Sequence, residues 1–129
     1  MKKTVPMLKR SLDREMSKWV RRNWSADGEN VPCFTCGTVK PIKEMHSGHY
    51  IPRTQSPTRY DERNQRPQCP GCNTFRSGMP HEFRRNLCLE IGDDEVEALE
   101  EKARQSWKWD RAWLTERIEH YRAELKEMT

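Results

Sequence analysis

Two Cys-x-x-Cys pairs, Cys33-Phe-Thr-Cys36 and Cys69-Pro-Gly-Cys72, bracket a segment containing His49 in Ser47-Gly48-His49-Tyr50, with Asn64 before the second pair and Asn73 directly after it. That order outlines a hydrolytic site beside a structural metal. Thiolates at this spacing sit on a tight turn that aims two sulfurs at one ion, and two such knuckles complete the tetrahedral four-thiolate shell that structural Zn²⁺ prefers. Gly37 follows the first pair and Gly71 lies inside the second, where a knuckle needs backbone that a Cβ disfavours. The stretch between the pairs is longer than in a compact zinc ribbon, so structure folded between them must bring the knuckles together. Two disulfides are the competing reading, but no secretory signal is visible and the fifth cysteine, Cys88, would be left over. Set among Leu87, Leu89 and Ile91, Cys88 reads as a small buried hydrophobe.

Composition predicts one small domain with helical arms. At 129 residues, a third hydrophobic and a third charged, the chain cannot build a large core, and metal ligation would supply much of its folding free energy. No stretch approaches the roughly 20 apolar residues of a membrane span, which predicts a protein of the reducing cytoplasm with no membrane partner. Residues 1 to 88 carry 17 Lys and Arg against 8 Asp and Glu, whereas residues 89 to 129 carry 7 against 12, so the net +4 divides into +9 and −5. A polyanion would meet the first part. Arginine dominates there, and Arg53, Arg59, Arg63, Arg66, Arg76, Arg84 and Arg85 are the candidates for bidentate phosphate contacts with DNA. Lys2 and Lys3 read as a solvated face.

The elements that must position these residues are legible in outline. Leu8, Leu12, Met16, Trp19 and Val20 recur at helical spacing, predicting an amphipathic helix from about 7 to 24 whose basic face meets DNA or water. Residues 31 to 72, rich in Pro and Gly, read as knuckle, strand, loop, strand, knuckle. A short helix over Asn73 to Ser77 follows, then a second from Pro80 to about Ile91 closed by Gly92, a third capped by Asp93 or Asp94, and a last one after Asp110. Leu114, Ile118, Tyr121, Leu125 and Met128 form a seam that would either fold back on the first helix or pair two subunits. Trp107, Trp109 and Trp113 read as packing residues in preference to base-stacking ones. The resulting boundaries are an N-terminal basic helix (1–30), a four-cysteine core (31–92) and a C-terminal helical arm (93–129).

The ordered set Leu12-Asp13, Ser17, Val20-Arg21, Gly28, Cys33-x-x-Cys36-Gly37, Gly48-His49-Tyr50, Arg53, Arg59-Tyr60-Asp61-Glu62-x-Asn64, Gln68-Cys69-x-x-Cys72-Asn73 and Ser77-Gly78 resembles the NinG (Rap) recombination-protein family of bacteriophages. The likeness runs on through Phe83-Arg84, Leu87, Ile91-Gly92 and Val96-Glu97-x-Leu99-Glu100, covering about residues 8 to 105. It implies an α+β fold with a small zinc-stapled ββα-metal core, HNH- or treble-clef-like, flanked by N-terminal and C-terminal α-helices. The implied activity is metal-dependent endonucleolytic cleavage of branched DNA, such as Holliday junctions or D-loops, in the cytoplasm of an infected bacterium. Carried over, His49 is the general base, Asn64 orients it, and Asn73 binds a catalytic Mg²⁺ or Mn²⁺.

Such chemistry needs these residue types. A neutral imidazole held in one orientation can deprotonate water for in-line attack on a phosphodiester, and a divalent cation neutralises the growing phosphoryl charge. Many HNH sites place a metal-binding Asp or His immediately before the base, but here that residue is Gly48. His46 and Asp61 are the second-tier ligand candidates, His46 only if a bulge at Gly48 turns it to the face of His49. The alternative function is a zinc-stapled DNA-binding or recombination-assembly module without cleavage.

Overall fold

The computed structural model describes residues 2–128. Helix α1 (Val5–Asn23) begins where the Thr4 side chain accepts a hydrogen bond from the Met7 amide, and it ends with Arg21 and Arg22 against the negative end of the helix dipole. Its apolar stripe, Leu8, Leu12, Met16, Trp19 and Val20, is buried. The partner is α4 (Arg111–Glu127), capped by Asp110, whose Leu114, Ile118 and Tyr121 close the same core. The seam therefore folds back inside the chain. Of the two placements its spacing allowed, the fold-back on the first helix is the one seen within the chain, with Leu114, Ile118 and Tyr121 covered by α1. Trp109 and Trp113 pack against this core beside Tyr60, as packing residues should.

Between the two helices in sequence lie two antiparallel hairpins. Strands β1 (Asn30–Pro32) and β2 (Val39–Pro41) carry the first knuckle at their turn, where Gly37 takes φ +79°. Strands β3 (His46–His49) and β4 (Gln65–Gln68) pair without interruption from His46 opposite Gln68 to His49 opposite Gln65. There is no bulge at Gly48. After β4 the second knuckle runs into one wide helical turn, Gly71–Phe75, closed by the Arg76 amide on the Gly71 carbonyl at 2.9 Å.

Helices α2 (Pro80–Ile91) and α3 (Asp93–Ala103) complete the fold around a small cluster of Phe83, Leu87 and Val96, against which Cys88 is partly buried. Gly92, at φ +93°, forms the corner and is itself the N-cap of α3. Asp93 and Asp94 sit inside its first turn instead of capping it, where their charge favours the positive end of the dipole. No helix among the described residues is long and apolar enough to cross a membrane.

Candidate active site and metal centre

The four cysteine sulfurs lie within 4.8 Å of one another. Backbone geometry holds each knuckle: the Gly37 amide bonds the Cys33 carbonyl at 2.9 Å, the Asn73 amide bonds the Cys69 carbonyl at 2.9 Å, and the Cys72 amide points at Cys69 Sγ at 3.4 Å. The Phe34 amide donates to the Pro67 carbonyl at 2.8 Å, so the first knuckle is hydrogen-bonded to the strand that leads into the second. Cys33, Cys69 and Cys72 are buried with Val31 and Met45. Four converging thiols, three buried and Cys36 exposed, could hold a metal ion such as zinc, and leave it no open position.

Asn73 follows directly from that centre. Its Nδ2 donates to His46 Nδ1 at 2.9 Å, and its Oδ1 has no protein hydrogen-bond partner among the described residues. His46 thus meets Asn73 without the expected bulge, because the helical turn comes to the strand. His46 does not, however, line the cavity that holds His49.

That cavity, about 450 Å³, is lined by Ser47, His49, Tyr50, Arg53, Asn73, Ser77 and Pro80, among others. A second, also about 450 Å³, shares Ser47, His49 and Arg53 and extends along α1 past Asp13, Arg14, Ser17, Lys18 and Arg21. His49 sits where the two abut. Its Nε2 lies 3.1 Å from the Arg59 carbonyl, which can only accept, so Nε2 carries the proton and the neutral ring keeps its lone pair on Nδ1. Burial pushes the imidazole pKa down to about 4, overriding the Arg59 carbonyl and the Asp13 carboxylate that favour the charged form.

Asn64 plays a different part from the expected one. It is fully buried and touches the loop instead of the imidazole: its Oδ1 accepts from the Ile51 amide at 2.8 Å, and its Nδ2 donates to the Ile51 and Thr58 carbonyls at 2.9 and 3.1 Å. It closes the loop that carries the Arg59 carbonyl, and so acts on His49 through that loop. Two contacts pin the loop to α1: Arg59 forks onto Asp13 at 3.2 and 2.6 Å, and the Tyr60 hydroxyl bonds the Lys9 carbonyl at 2.9 Å. No side-chain type announces a backbone carbonyl, which is why the sequence reading missed this partner.

Asp61 does not join the site. Burial alone would raise its pKa, but hydrogen bonds from Arg63 and Lys102 pull it to about 2, and its carboxylate is committed to them at 2.9 Å each. The arginines divide sharply. Arg59 is taken by Asp13, Arg63 by Asp61 and Glu95, and Arg84 by Glu100. Arg66 is buried under Trp24, bonded to Glu90 and to the Glu62 and Gln65 carbonyls, so it ties β4 to α2 and cannot reach DNA. Arg53, Arg76 and Arg85 remain exposed.

Gly48 has a steric cause. A Cβ there would lie 1.8 Å from Gln68 Oε1, so the space a side chain at 48 would occupy is already filled by the buried Gln68 amide. That amide is anchored through Nε2 to Thr35 Oγ1 and the Gly78 carbonyl at 3.1 and 2.9 Å, while Oε1 has no partner among the described residues.

Fold and site together define a small mixed α+β protein with a cluster of four cysteines that could hold a metal and a histidine-bearing groove beside it. The chain belongs to the NinG family: the family profile described as Bacteriophage Lambda NinG protein matches residues 2–129. It is similar to Protein ninG of Salmonella phage P22, 31% identical over 99 residues that make up 76% of this chain and 46% of that protein. It is similar also to Protein ninG of Escherichia phage 933W, 36% identical over 72 residues, and of Escherichia phage lambda, 35% identical over 72 residues, in each case 55% of this chain and 35% of the relative. The matched stretches thus span less than half the length of these curated relatives. No solved structure matches the chain.

Proposed function

We propose that this protein is a phage recombination endonuclease that hydrolyses DNA phosphodiesters at branched structures, in the cytoplasm of the infected host. The observation that carries the reading is the state of His49: buried, neutral, with Nε2 spent on the Arg59 carbonyl and Nδ1 without a partner among the described residues, in a cavity that Asn73 also lines. A base needs that orientation and that empty lone pair. The order β3, β4, helical turn, with the histidine ending β3 and the asparagine on the turn, supports an HNH-like ββα-metal core.

In the proposed reaction a water beside Nδ1 attacks phosphorus in line and gives its proton to His49. The P–O3′ bond breaks and the 3′ oxygen takes a proton from solvent, leaving 5′-phosphate and 3′-hydroxyl ends. Arg53, exposed at the junction of both cavities, meets the phosphate charge. A catalytic Mg²⁺ or Mn²⁺ would neutralise charge on the phosphoryl and leaving oxygens. The donor this cavity offers it is the Asn73 amide oxygen, while His46, outside the cavity lining, spends its Nδ1 on the Asn73 Nδ2–H. Among the described residues no carboxylate lines this cavity, so the donor set suits an ion that keeps most of its water and shares the substrate phosphate, not a protein-built cage. Zinc belongs to Cys33, Cys36, Cys69 and Cys72 as the structural ion.

Four-way, forked and linear duplex DNA, incubated with the protein with and without divalent metal, tests the reading beside a His49→Ala variant. Metal-dependent nicking of branched DNA by the parent protein and none by the folded variant is the expected result. Binding by both with cleavage by neither would leave a non-catalytic DNA-binding or assembly module.

A further inference from the structure

The second cavity at His49 is walled by α1, and the cations on that wall differ from the arginines elsewhere in the molecule. Among the described residues Arg14 has only the Ser11 hydroxyl at 3.4 Å as a side-chain partner. Arg21 is fixed by the Ser17 and Ile42 carbonyls at 3.1 and 3.0 Å, so it is oriented without being neutralised by a carboxylate. Lys18 is 56% exposed and lies 3.6 Å from Glu15. Asp13 is the acidic group on the same wall, and it is already matched by Arg59 at 2.6 Å with Arg53 at 3.9 Å.

We propose that Arg14, Lys18 and Arg21 form a phosphate-binding track, and that one strand of a DNA substrate runs along α1 before its scissile phosphate reaches His49. The proposal rests on the nuclease reading and adds to it the surface that places the substrate. Residues 14, 18 and 21 follow one another at one-turn spacing on a single face, covering about 10 Å of helix, which is the rise of about three nucleotides. The track ends at the shared rim of Ser47, His49 and Arg53, so a backbone lying on it continues into the cavity of Asn73. Two other cations of α1, Lys9 and Arg22, are placed differently. Lys9 lies over the Trp109 ring at 4.8 Å, and Arg22 bonds the Ser25 and Met128 carbonyls at 3.3 and 3.2 Å. The helix is rigid because its opposite face is the α1–α4 core, so the cations are held in register before DNA arrives.

The test is equilibrium binding of fluorescent forked DNA over a salt series, in the His49→Ala background so that no cleavage intervenes. Arg14→Gln/Lys18→Gln is compared with Lys2→Gln/Lys3→Gln, which removes the same charge from the exposed start of the chain. The expected result is a slope of log K against log salt shallower by about 2 in the first double variant, with at least about tenfold weaker binding at low salt, and little change in the second. An unchanged slope in the first, or an equal fall in both, overturns the track while DNA binding itself stands. Absence of DNA binding by the parent protein at every salt concentration overturns the nuclease reading and the track with it. Both substitutions replace exposed side chains, and circular dichroism with zinc content verifies that the variants fold.

Discussion

The knuckle end and the helical end of this molecule hold themselves together by different physics. The α1–α4 core buries Leu8, Leu12, Met16, Trp19, Val20, Tyr60, Leu114, Ile118 and Tyr121, enough apolar surface to stand on hydrophobic burial. Around the knuckles the buried apolar set is Val31 and Met45 with three cysteines, far less, and a metal held by the four thiols would do there what burial does at the other end. The candidate site straddles the two. His49 takes its orientation from a loop pinned to α1, and Asn73 takes its place from the second knuckle. Loss of either end should separate the two residues while the other end survives.

Metal removal is the strongest way to break that division. Chelation, or Cys69→Ser, is expected to release zinc, unfold the knuckle end and lower solubility, since structural zinc supplies of the order of 10 kcal/mol in small sites. Helical circular dichroism from α1 and α4 should outlast it in part. Loss of all helix at the same chelator concentration would show that the two ends are one cooperative unit. Leu12→Ala works from the opposite side: it should cost about 2–5 kcal/mol in a denaturant melt by opening a cavity in the fully buried core, with zinc content unchanged.

Gly48→Ala probes the boundary between the ends. Its methyl would meet Gln68 Oε1, and a cost of about 1–3 kcal/mol is expected from displacing that anchored amide. The same clash means that Gly48→Asp should not create a metal-binding site, which isothermal titration with Mn²⁺ would check.

A further effect is one of pH. The His49 pKa falls from 6.5 to about 4 on folding, so the neutral ring is the form the fold favours. Its stabilising contribution is present above pH 6.5 and is lost as the pH falls through about 4. Melts between pH 7 and 4 should therefore show an acid loss of stability that His49→Gln lessens. In the nuclease reading the acid limb of the rate should also fall below the ordinary imidazole value.

Much of the scaffold was legible because it depends on short-range regularities. The stripe from Leu8 to Val20 marked α1, Pro80 and Gly92 bounded α2, and Asp110 marked the start of α4. The knuckles were legible from ligand spacing, and the structure brings their four sulfurs together. The candidate site was legible only in part. His49 and Asn73 line one cavity and Asn73 meets His46, but Asp61 is drawn off to Arg63 and Lys102, and Asn64 secures a loop instead of touching the imidazole.

Residue type and local spacing by themselves determined where the cysteine knuckles, the amphipathic helices and the basic half of the chain would be. Only tertiary structure decided which of two partners the α4 seam would choose, which arginines would keep their charge free and which backbone carbonyl would set the His49 tautomer. Helical periodicity and ligand spacing act over a few residues. Arg59 finds Asp13 across 46 residues and Arg66 finds Glu90 across 24, and such pairings exist only once the chain has folded.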